Sequence, residues 1–470
     1  MRLHVTFLCF CLVLSLPESR ADTIHLKNGR TIVADRVRES GNRYEYEIGD
    51  DSYAIPKSSV DRVEAGGVPA HTKAVEKLGD LPAFSQDDGL ANGDLISKEI
   101  RDGKVDQDAL ASLERKSNPV LSSAAYFIAG KFEFERGNLG QSRQYFESAL
   151  RFQPDSSTIL TYYAAALART GDGREALSYA ERAVRSNPNS PDAYTMLGYA
   201  QFVTDRTKDA ITSWQQSFAL RPDPAVQRLL DKAQREQKAE SEFAQHESSH
   251  FVLHYEGKAS SETLRNQILS VLEADYDDLV RDLGTPPRDN VLVTLYTETA
   301  FFDVTHAPSW AGALYDGKLR IPLSGLNEVT PELARVLKHE LSHAFIAKLS
   351  GGRCPPWLNE GIAQFLEPKS LAGDGRQLAL LYKAQKNIPL NVLEGSFMRL
   401  SGPGAYIAYA ESLAAVIFIS DSYGLSEIPR ILERINQGSS TEAALRASLH
   451  SDYGQFEQDL GRYLVDKYGE

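Results

Sequence analysis

Hydrophobic and polar positions alternate with a period of two over residues 22–65, which is typical of strands with one buried face. Within this region Asn28-Gly29 separates two alternating segments, and this pair favours a tight hairpin because both turn positions need positive φ. The pattern predicts a small antiparallel β module, and nothing in it suggests chemistry. Residues 66–93 contain several Gly, Pro and Asp residues and are predicted to be a linker.

Further along the chain, a helical pattern repeats every 34 residues and ends each time in a proline: Pro154, Pro188 and Pro222. Equivalent positions hold small residues where two helices approach and larger residues that fill the seam, such as Gly130 and Phe146. This pattern resembles the tetratricopeptide repeat (TPR). It predicts an all-α solenoid over 94–244 with a capping helix at each end, and three repeats at about 123–156, 157–190 and 191–224.

Two roles are open for this solenoid. Stacked helix pairs present a concave groove, so it is expected to bind a protein partner or an extended substrate there. Alternatively, the three repeats only hold two neighbouring domains at a fixed distance.

From residue 250 onwards the pattern changes to mixed strands and helices, which predicts an α+β domain over 250–470. Three histidines, His246, His250 and His254, are spaced by four, but the residues between the last two form a strand-like run. They are therefore predicted to be solvated or packed histidines and not a metal cluster.

The segment 339–343 has the sequence His-Glu-Leu-Ser-His inside a helix that is predicted to start at Pro331. His339 and His343 are four residues apart, so their rings lie on one face and can converge on one Zn²⁺. Glu340 lies on the neighbouring face, where it can bond a water molecule that the metal activates. The sequence thus predicts two zinc ligands and a general base.

A third ligand is predicted in the next helix, which Pro355-Pro356 introduces. Glu360 lies in its first turns, seventeen residues after His343, within the apolar sequence Trp-Leu-Asn-Glu-Gly-Ile-Ala. A carboxylate in such surroundings needs a compensating charge, and a zinc ion supplies one. Two histidines and one glutamate leave a fourth coordination position open, as in catalytic zinc sites and unlike structural ones.

The His-Glu-x-x-His motif, followed at this spacing by Trp-Leu-Asn-Glu-Gly-x-Ala, resembles the gluzincin metallopeptidases, and the whole C-terminal segment resembles a peptidase MA-like domain. The resemblance implies a thermolysin-like α+β core with zinc held by His339, His343 and Glu360, and with Glu340 as general base. Related aminopeptidases carry a glutamate in the strand that corresponds to residues 312–316 here. This chain has none, which favours an endopeptidase.

The same resemblance implies a downstream tyrosine that stabilises the oxyanion. Tyr406 and Tyr409 are both candidates, and the order of residues 409–412 favours Tyr409. The alternative is a tyrosine that only packs at a helix boundary.

The N-terminus predicts export. A short basic start, an apolar run over 5–16 and the small residues Ser19 and Ala21 predict a signal peptide over 1–21, so the protein is expected in the periplasm or outside the cell. An uncleaved anchor is the alternative. No other apolar stretch of ~20 residues is found, so no transmembrane segment is expected in the mature chain.

Composition then narrows the partners. The 470 residues include 51 basic and 64 acidic ones, a net charge of −13, which argues against nucleic acid as the main partner.

The combined prediction is an exported zinc endopeptidase with a peptide or protein substrate. The alternative is a TPR adaptor whose peptidase-like domain binds zinc but is inactive. The presence of Glu340 argues against this adaptor, since an inactive domain has no need of a general base. A zinc chaperone or a purely structural zinc site is disfavoured by the open fourth position.

Overall fold

The structure is a computed structural model that divides into two compact units, residues 1–73 with 389–396 and residues 74–388 with 397–470. It describes residues 20–27, 31–34, 36–48, 51–69, 81, 83–84, 100–101, 104–115, 118–257, 260–305, 313–323, 325–395, 397, 400 and 402–469. Most of the predicted signal peptide, the Asn28-Gly29 turn and most of the predicted linker lie outside these residues.

The first unit contains a small β module of two three-stranded antiparallel sheets, ordered β2-β1-β6 and β3-β4-β5. Its strands are β1 (Arg20–Leu26), β2 (Thr31–Ala34), β3 (Arg36–Ser40), β4 (Arg43–Ile48), β5 (Asp51–Pro56) and β6 (Val60–Pro69). Ile24, Tyr46 and Val60 form its core. β6 continues to Pro69, so residues 66–69 lie in a strand and not in the linker that was predicted to start there.

The second unit begins with paired helices that confirm the TPR prediction. The short strands β7 (Ile100–Arg101) and β8 (Lys104–Val105) precede α1 (Gln107–Arg115), α2 (Pro119–Glu135), α3 (Leu139–Phe152), α4 (Ser157–Arg169), α5 (Gly173–Ser186), α6 (Pro191–Val203), α7 (Thr207–Leu220) and α8 (Pro224–Ala239). The ring of Phe146 lies against Gly130, and the indole of Trp214 lies against Gly198. A side chain at either glycine would overlap the ring, so the small residue allows the two helices of a repeat to approach.

A single helix closes each end of this solenoid. Leu110 and Leu113 of α1 pack on α2 at one end, and Val226 and Leu230 of α8 join the solenoid core at the other. Both helices bury an apolar stripe that the terminal repeat would otherwise expose.

The rest of the second unit combines one mixed sheet with helices. Its elements are β9 (Ala244–Glu247), β10 (Phe251–Tyr255), α9 (Glu262–Leu283), β11 (Val291–Thr297), α10 (Glu298–Thr305), β12 (Leu314–Tyr315), β13 (Leu319–Leu323), α11 (Pro331–Ser350), α12 (Pro356–Leu366), α13 (Gly375–Lys383), α14 (Gly402–Tyr423), α15 (Glu427–Asn436), α16 (Thr441–Leu449) and α17 (Tyr453–Tyr468). The sheet order is β12-β13-β11-β10-β9, with β10, β11 and β13 parallel. β12 pairs only with Leu319 and Arg320, so Pro322 has no partner in β12 and faces only Tyr296 of β11 on its other side.

One helix corrects the expectation about apolar stretches. Residues 404–423 of α14 are long and apolar enough to cross a membrane by length and composition. However, 56% of the apolar part of this segment is buried inside the protein. The acidic side chain of Glu411 is fully buried there as well. Burial of this kind is what the central helix of a globular domain shows.

The solenoid contacts the C-terminal domain through the turns inside its repeats. Gly137, Gly171 and Asp205 occupy equivalent positions 34 residues apart, and all three have positive φ of 76°, 77° and 65°. The first lies against the guanidinium of Arg353 and the second against the side chain of Lys348. The third is an aspartate in a conformation that favours glycine, and its carboxylate bonds groups of the C-terminal sheet.

One of the groups that Asp205 contacts, Lys318, belongs to a buried cluster of charges between α8 and the β12–β13 hairpin. Glu236 of α8 is fully buried and lies 2.5 Å from Lys318 Nζ and 2.7 Å from an Nη atom of Arg320. Lys318 also contacts Asp205 at 3.1 Å, and Arg320 contacts Asp316 within the hairpin at 3.0 Å. The Arg320 side chain is itself fully buried, so water does not solvate its charge. The carboxylates of Glu236, Asp316 and Glu240 balance it instead.

Two of the histidines that were predicted to be solvated or packed make close contacts with their neighbours. His254 lies 2.9 Å from Asp205 and 3.9 Å from Glu240. Burial disfavours the charged ring, but the two carboxylates outweigh that effect and raise its pKa to about 9. His250 stacks on Tyr276, with ring centroids 3.9 Å apart. Neither ring is part of a metal cluster among the described residues.

Candidate metal centre

The helix that carries the His-Glu-x-x-His motif has clear ends. The Thr330 side chain accepts a hydrogen bond from the N–H of Leu333, Pro331 opens the first turn, and Gly351 ends the helix in the left-handed conformation. α11 therefore spans twenty residues, and the motif lies near its middle. A rigid helix holds the two histidines in a fixed relative position.

His339, His343 and Glu360 come together in space. The two imidazole rings are perpendicular, with centroids 4.9 Å apart. Nε2 of His339 lies 3.5 Å from Oε2 of Glu360, and Nε2 of His343 lies 3.9 Å from Oε1 of the same carboxylate. The α12 carboxylate thus presents one oxygen to each ring on α11.

These separations fit a shared ion better than direct bonds. Nitrogen and oxygen ligands at ~2.0–2.1 Å from a tetrahedral zinc lie about 3.3 Å from each other. The observed 3.5 and 3.9 Å exceed the usual hydrogen-bond length, and the first is close to the spacing of two ligands around one ion while the second is longer than it. The donor set of two imidazoles and one carboxylate is also one that zinc prefers.

Glu340 lies beside this set. One of its carboxylate oxygens and one nitrogen from each of His339 and His343 are all within 4.8 Å of one another. Burial is the main reason that the pKa of Glu340 is raised, and Glu360 adds to it, while the two histidines and the backbone N–H of Tyr315 act in the opposite direction. A carboxylate with a raised pKa is a better proton acceptor than an exposed one.

The other nitrogen of each imidazole faces an oxygen on α12 or on the residue that caps its C-terminus. Nδ1 of His343 is 3.0 Å from Oδ1 of Asn359, and Nδ1 of His339 is 3.6 Å from Oε1 of Glu367. Such partners orient metal-binding histidines and select the tautomer that frees Nε2. Gln364, one turn after Glu360, could also be predicted as such a partner, but its Nε2 donates instead to the backbone carbonyls of Glu360 and Tyr409.

The sequence analysis missed Asn359 and Glu367, although a helical pattern could have revealed both. Asn359 directly precedes the expected ligand Glu360. Glu367 follows that ligand by seven residues, which is two helical turns and returns to the same face.

The charge of the site shows in the pKa of His339. Burial disfavours its charged form, but Glu360 and Glu367 outweigh that effect and raise the pKa to about 10. The carboxylates therefore create a strongly negative environment around the rings. A divalent cation is the type of ligand that such an environment stabilises.

The two candidate tyrosines differ in their surroundings. Tyr409 is half-buried on α14, and burial is the main cause of its raised pKa, with Glu360 and Glu340 as further causes. Tyr406 is 56% exposed and bonds Asp374. Only Tyr409 of the two is influenced by the charges of the site.

The close approach of α12 and α14 explains why Tyr409 lies near the site. A side chain at Gly361 would overlap the backbone carbonyl of Ser412, so only glycine allows the two helices to lie this near each other. Nε2 of Gln364 also donates to the carbonyl of Tyr409 at 2.9 Å. Both contacts hold Tyr409 near the helix that carries Glu360.

Comparisons with known proteins match two parts of the chain. Residues 277–466 match the Peptidase MA superfamily, and residues 157–201 match the tetratricopeptide repeat. The TPR repeat-containing protein MJ0940 of Methanocaldococcus jannaschii is 29% identical over 106 residues, which are 23% of this chain and 33% of that protein. The chain thus matches about a third of the length of this curated relative.

TPR domains are among the similar solved structures. The Arabidopsis OM64 TPR domain is 15% identical, with 25% of this chain and 98% of that chain covered and a TM-score of 0.25. The first TPR domain of the human RPAP3 protein is 20% identical, with 26% and 95% covered and the same TM-score. The family matches lead to one conclusion: this chain contains a Peptidase MA superfamily domain together with tetratricopeptide repeats.

Proposed function

We propose that the protein is an exported zinc-dependent endopeptidase. The observation that supports this most is the convergence of His339, His343 and Glu360, in which one carboxylate oxygen lies within 3.9 Å of Nε2 of each ring. The match of residues 277–466 to the Peptidase MA superfamily supports the same class of reaction. The substrate is a peptide or protein segment.

Each residue has a defined role in this proposal. His339, His343 and Glu360 hold the metal, and Asn359 and Glu367 orient the two imidazoles. A bound zinc ion supplies Lewis-acid polarisation of the scissile carbonyl and lowers the pKa of a water molecule.

Glu340 takes the proton from the attacking water and passes it to the leaving amine. Its raised pKa suits this exchange, since the group must both accept and release a proton.

The remaining groups bind the substrate. The hydroxyl of Tyr409 donates a hydrogen bond to the oxyanion that forms as the carbonyl is attacked. β12 is the outermost strand of its sheet and contributes the backbone N–H of Tyr315 next to Glu340. An extended substrate can add to this edge by backbone hydrogen bonds and so place its scissile bond over the site.

Metal removal tests the proposal. Treatment with a chelator should abolish cleavage of an unfolded protein substrate, and one equivalent of Zn²⁺ per chain should restore it, because the proposed reaction needs the ion at His339, His343 and Glu360. Mg²⁺ is the control and should not restore activity, since it prefers oxygen ligands in an octahedron. Undiminished cleavage by protein that contains no metal would contradict the proposal.

The two tyrosines provide a matched pair of variants. Tyr409→Phe should lower kcat by about 10²–10³-fold, because it removes one donor to the oxyanion. Tyr406→Phe should leave kcat unchanged, since Tyr406 is exposed and bonds Asp374. Steady-state kinetics on one peptide would measure both, and equal effects of the two variants would exclude the assignment.

A further inference from the structure

The side chain of Gln364 lies between the helix that carries Glu360 and the helix that carries Tyr409. It is 2% exposed, and its Nε2 atom has two backbone acceptors, the carbonyl of Glu360 at 3.2 Å and the carbonyl of Tyr409 at 2.9 Å. The first acceptor is one turn earlier on α12, whereas the second belongs to α14. One amide group therefore joins the backbone of a proposed metal ligand to the backbone of the proposed oxyanion donor.

The oxygen of the same amide also has a partner. Nζ of Lys369 donates to Oε1 of Gln364 at 3.0 Å, and the backbone N–H of Lys369 donates to the backbone carbonyl of Gln364 at 3.1 Å. An ammonium group can only donate and a carbonyl can only accept, so these partners fix which end of the amide is oxygen and which is nitrogen. The side chain of Gln364 thus has a single orientation.

The type of these partners matches a carboxamide. Gln364 needs donors for two carbonyls and an acceptor for one ammonium group, and an amide supplies both. Glutamate has nearly the same shape but offers no donor at neutral pH. Methionine has a similar length but offers neither a donor nor a strong acceptor.

This hydrogen bond does what the packing of the two helices cannot do. The contact of Gly361 with the carbonyl of Ser412 limits how near α12 and α14 can lie. Such a contact does not resist separation or sliding of the helices, whereas a directional hydrogen bond resists both. The hydroxyl of Tyr409 can stabilise an oxyanion only within hydrogen-bond distance of it, and that bond weakens steeply with poor geometry.

We propose that Gln364 is a positioning residue that fixes Tyr409 relative to the metal centre, and that Lys369 holds the amide of Gln364 in the orientation this requires. The inference rests on the proposed function, since it assigns the effect to stabilisation of the oxyanion by Tyr409. Neither positioning residue touches the substrate in this scheme. Their replacement should therefore lower kcat and leave KM and the zinc content unchanged.

A double-mutant cycle tests whether Gln364 acts through Tyr409. Gln364→Met should lower kcat by about 10–100-fold, as expected when a catalytic group is displaced by a fraction of an ångström to about 1 Å. In the Tyr409→Phe background the same substitution should cause no further loss, because the hydroxyl that it misplaces is absent. Equal losses in the two backgrounds would show a merely structural role and would overturn the proposal.

Hydrogen exchange provides a readout that does not depend on activity. In metal-free protein the amides of residues 404–413 should exchange faster in Gln364→Met than in the wild type, because α14 has lost its bond to α12. Unchanged exchange in the folded variant would contradict the positioning role. If the wild type with zinc hydrolysed no peptide, the proposed function would fail, and the exchange rates would still decide whether Gln364 holds α14.

Lys369→Met is the second variant and serves if Gln364→Met does not fold. Lys369 is exposed, and its replacement should lower kcat by a smaller factor, because the amide of Gln364 can then turn. Lys383→Met is the matched control: Lys383 is an exposed lysine in the last turn of α13, and its loss should leave kcat unchanged. Equal kcat values for the two lysine variants would exclude the role of Lys369.

Discussion

Glu340→Gln should lower the rate of peptide hydrolysis by about 10²–10⁴-fold and leave the zinc content at one ion per chain. Glutamine has nearly the same shape as glutamate but cannot accept the proton of the attacking water. The metal should remain, because the proposal assigns its binding to His339, His343 and Glu360. Steady-state kinetics together with metal analysis of the same preparation would measure both quantities.

Glu332→Gln is a matched control for this experiment. Glu332 lies in the first turn of the same helix and its side chain is 77% exposed, so its loss should change neither rate nor metal content. Two outcomes of the main experiment would be informative in different ways. Unchanged hydrolysis would favour an adaptor in which the motif has no catalytic role, and loss of zinc would show that Glu340 is itself a ligand.

Glu236→Ala should destabilise the second unit by about 3–5 kcal/mol, since it removes the fully buried carboxylate that lies between Lys318 and Arg320. Arg320 and Lys318 would stay buried with less negative charge around them, because only Asp316, Asp205 and Glu240 would remain of the carboxylates described above. The free energy of unfolding in a denaturant titration, or the midpoint of thermal unfolding, would measure the effect.

Asp231→Ala is the control, because Asp231 is an exposed acid on the same helix α8. It should change the free energy of unfolding by no more than about 0.5 kcal/mol. A similar small change for Glu236→Ala would show that water or a rearranged side chain replaces the carboxylate.

The stability prediction also concerns the proposed catalytic site. Lys318 and Arg320 belong to the hairpin whose first strand carries Tyr315, and the N–H of Tyr315 faces Glu340. The solenoid therefore holds the sheet edge at which the substrate is proposed to bind. In the described part of the chain the repeats and the peptidase-like domain form one compact unit.

Local sequence patterns were sufficient for the repeats and for the motif on α11. Gly130 and Phe146 recur in equivalent form every 34 residues, and the structure brings them into contact as the pattern predicts. The zinc-ligand prediction used the same kind of evidence, since a separation of four residues places His339 and His343 on one face of a helix. Its assignment as a zinc site remains a prediction.

Other features depend on residues that are distant in the sequence. His254 was predicted to be solvated or packed, but its partners Asp205 and Glu240 belong to the solenoid and could not be named in advance. The length of α14 went unnoticed because its apolar residues are interrupted by Glu411. The sequence shows an aspartate, Asp205, in the third turn at the position where the first two turns have glycine. Its contacts with His254 and Lys318 are seen only in the structure.

The sequence by itself determined which segments are helical repeats, where the His-Glu-x-x-His helix begins and ends, and which side chains share a face, because these properties depend on neighbours within a few residues. The tertiary structure alone decided that Glu367 approaches His339, that α8 neutralises Arg320, and that Phe84 covers Tyr162. Each of these contacts joins separate elements, and its energy depends on burial and distance, which no local pattern encodes.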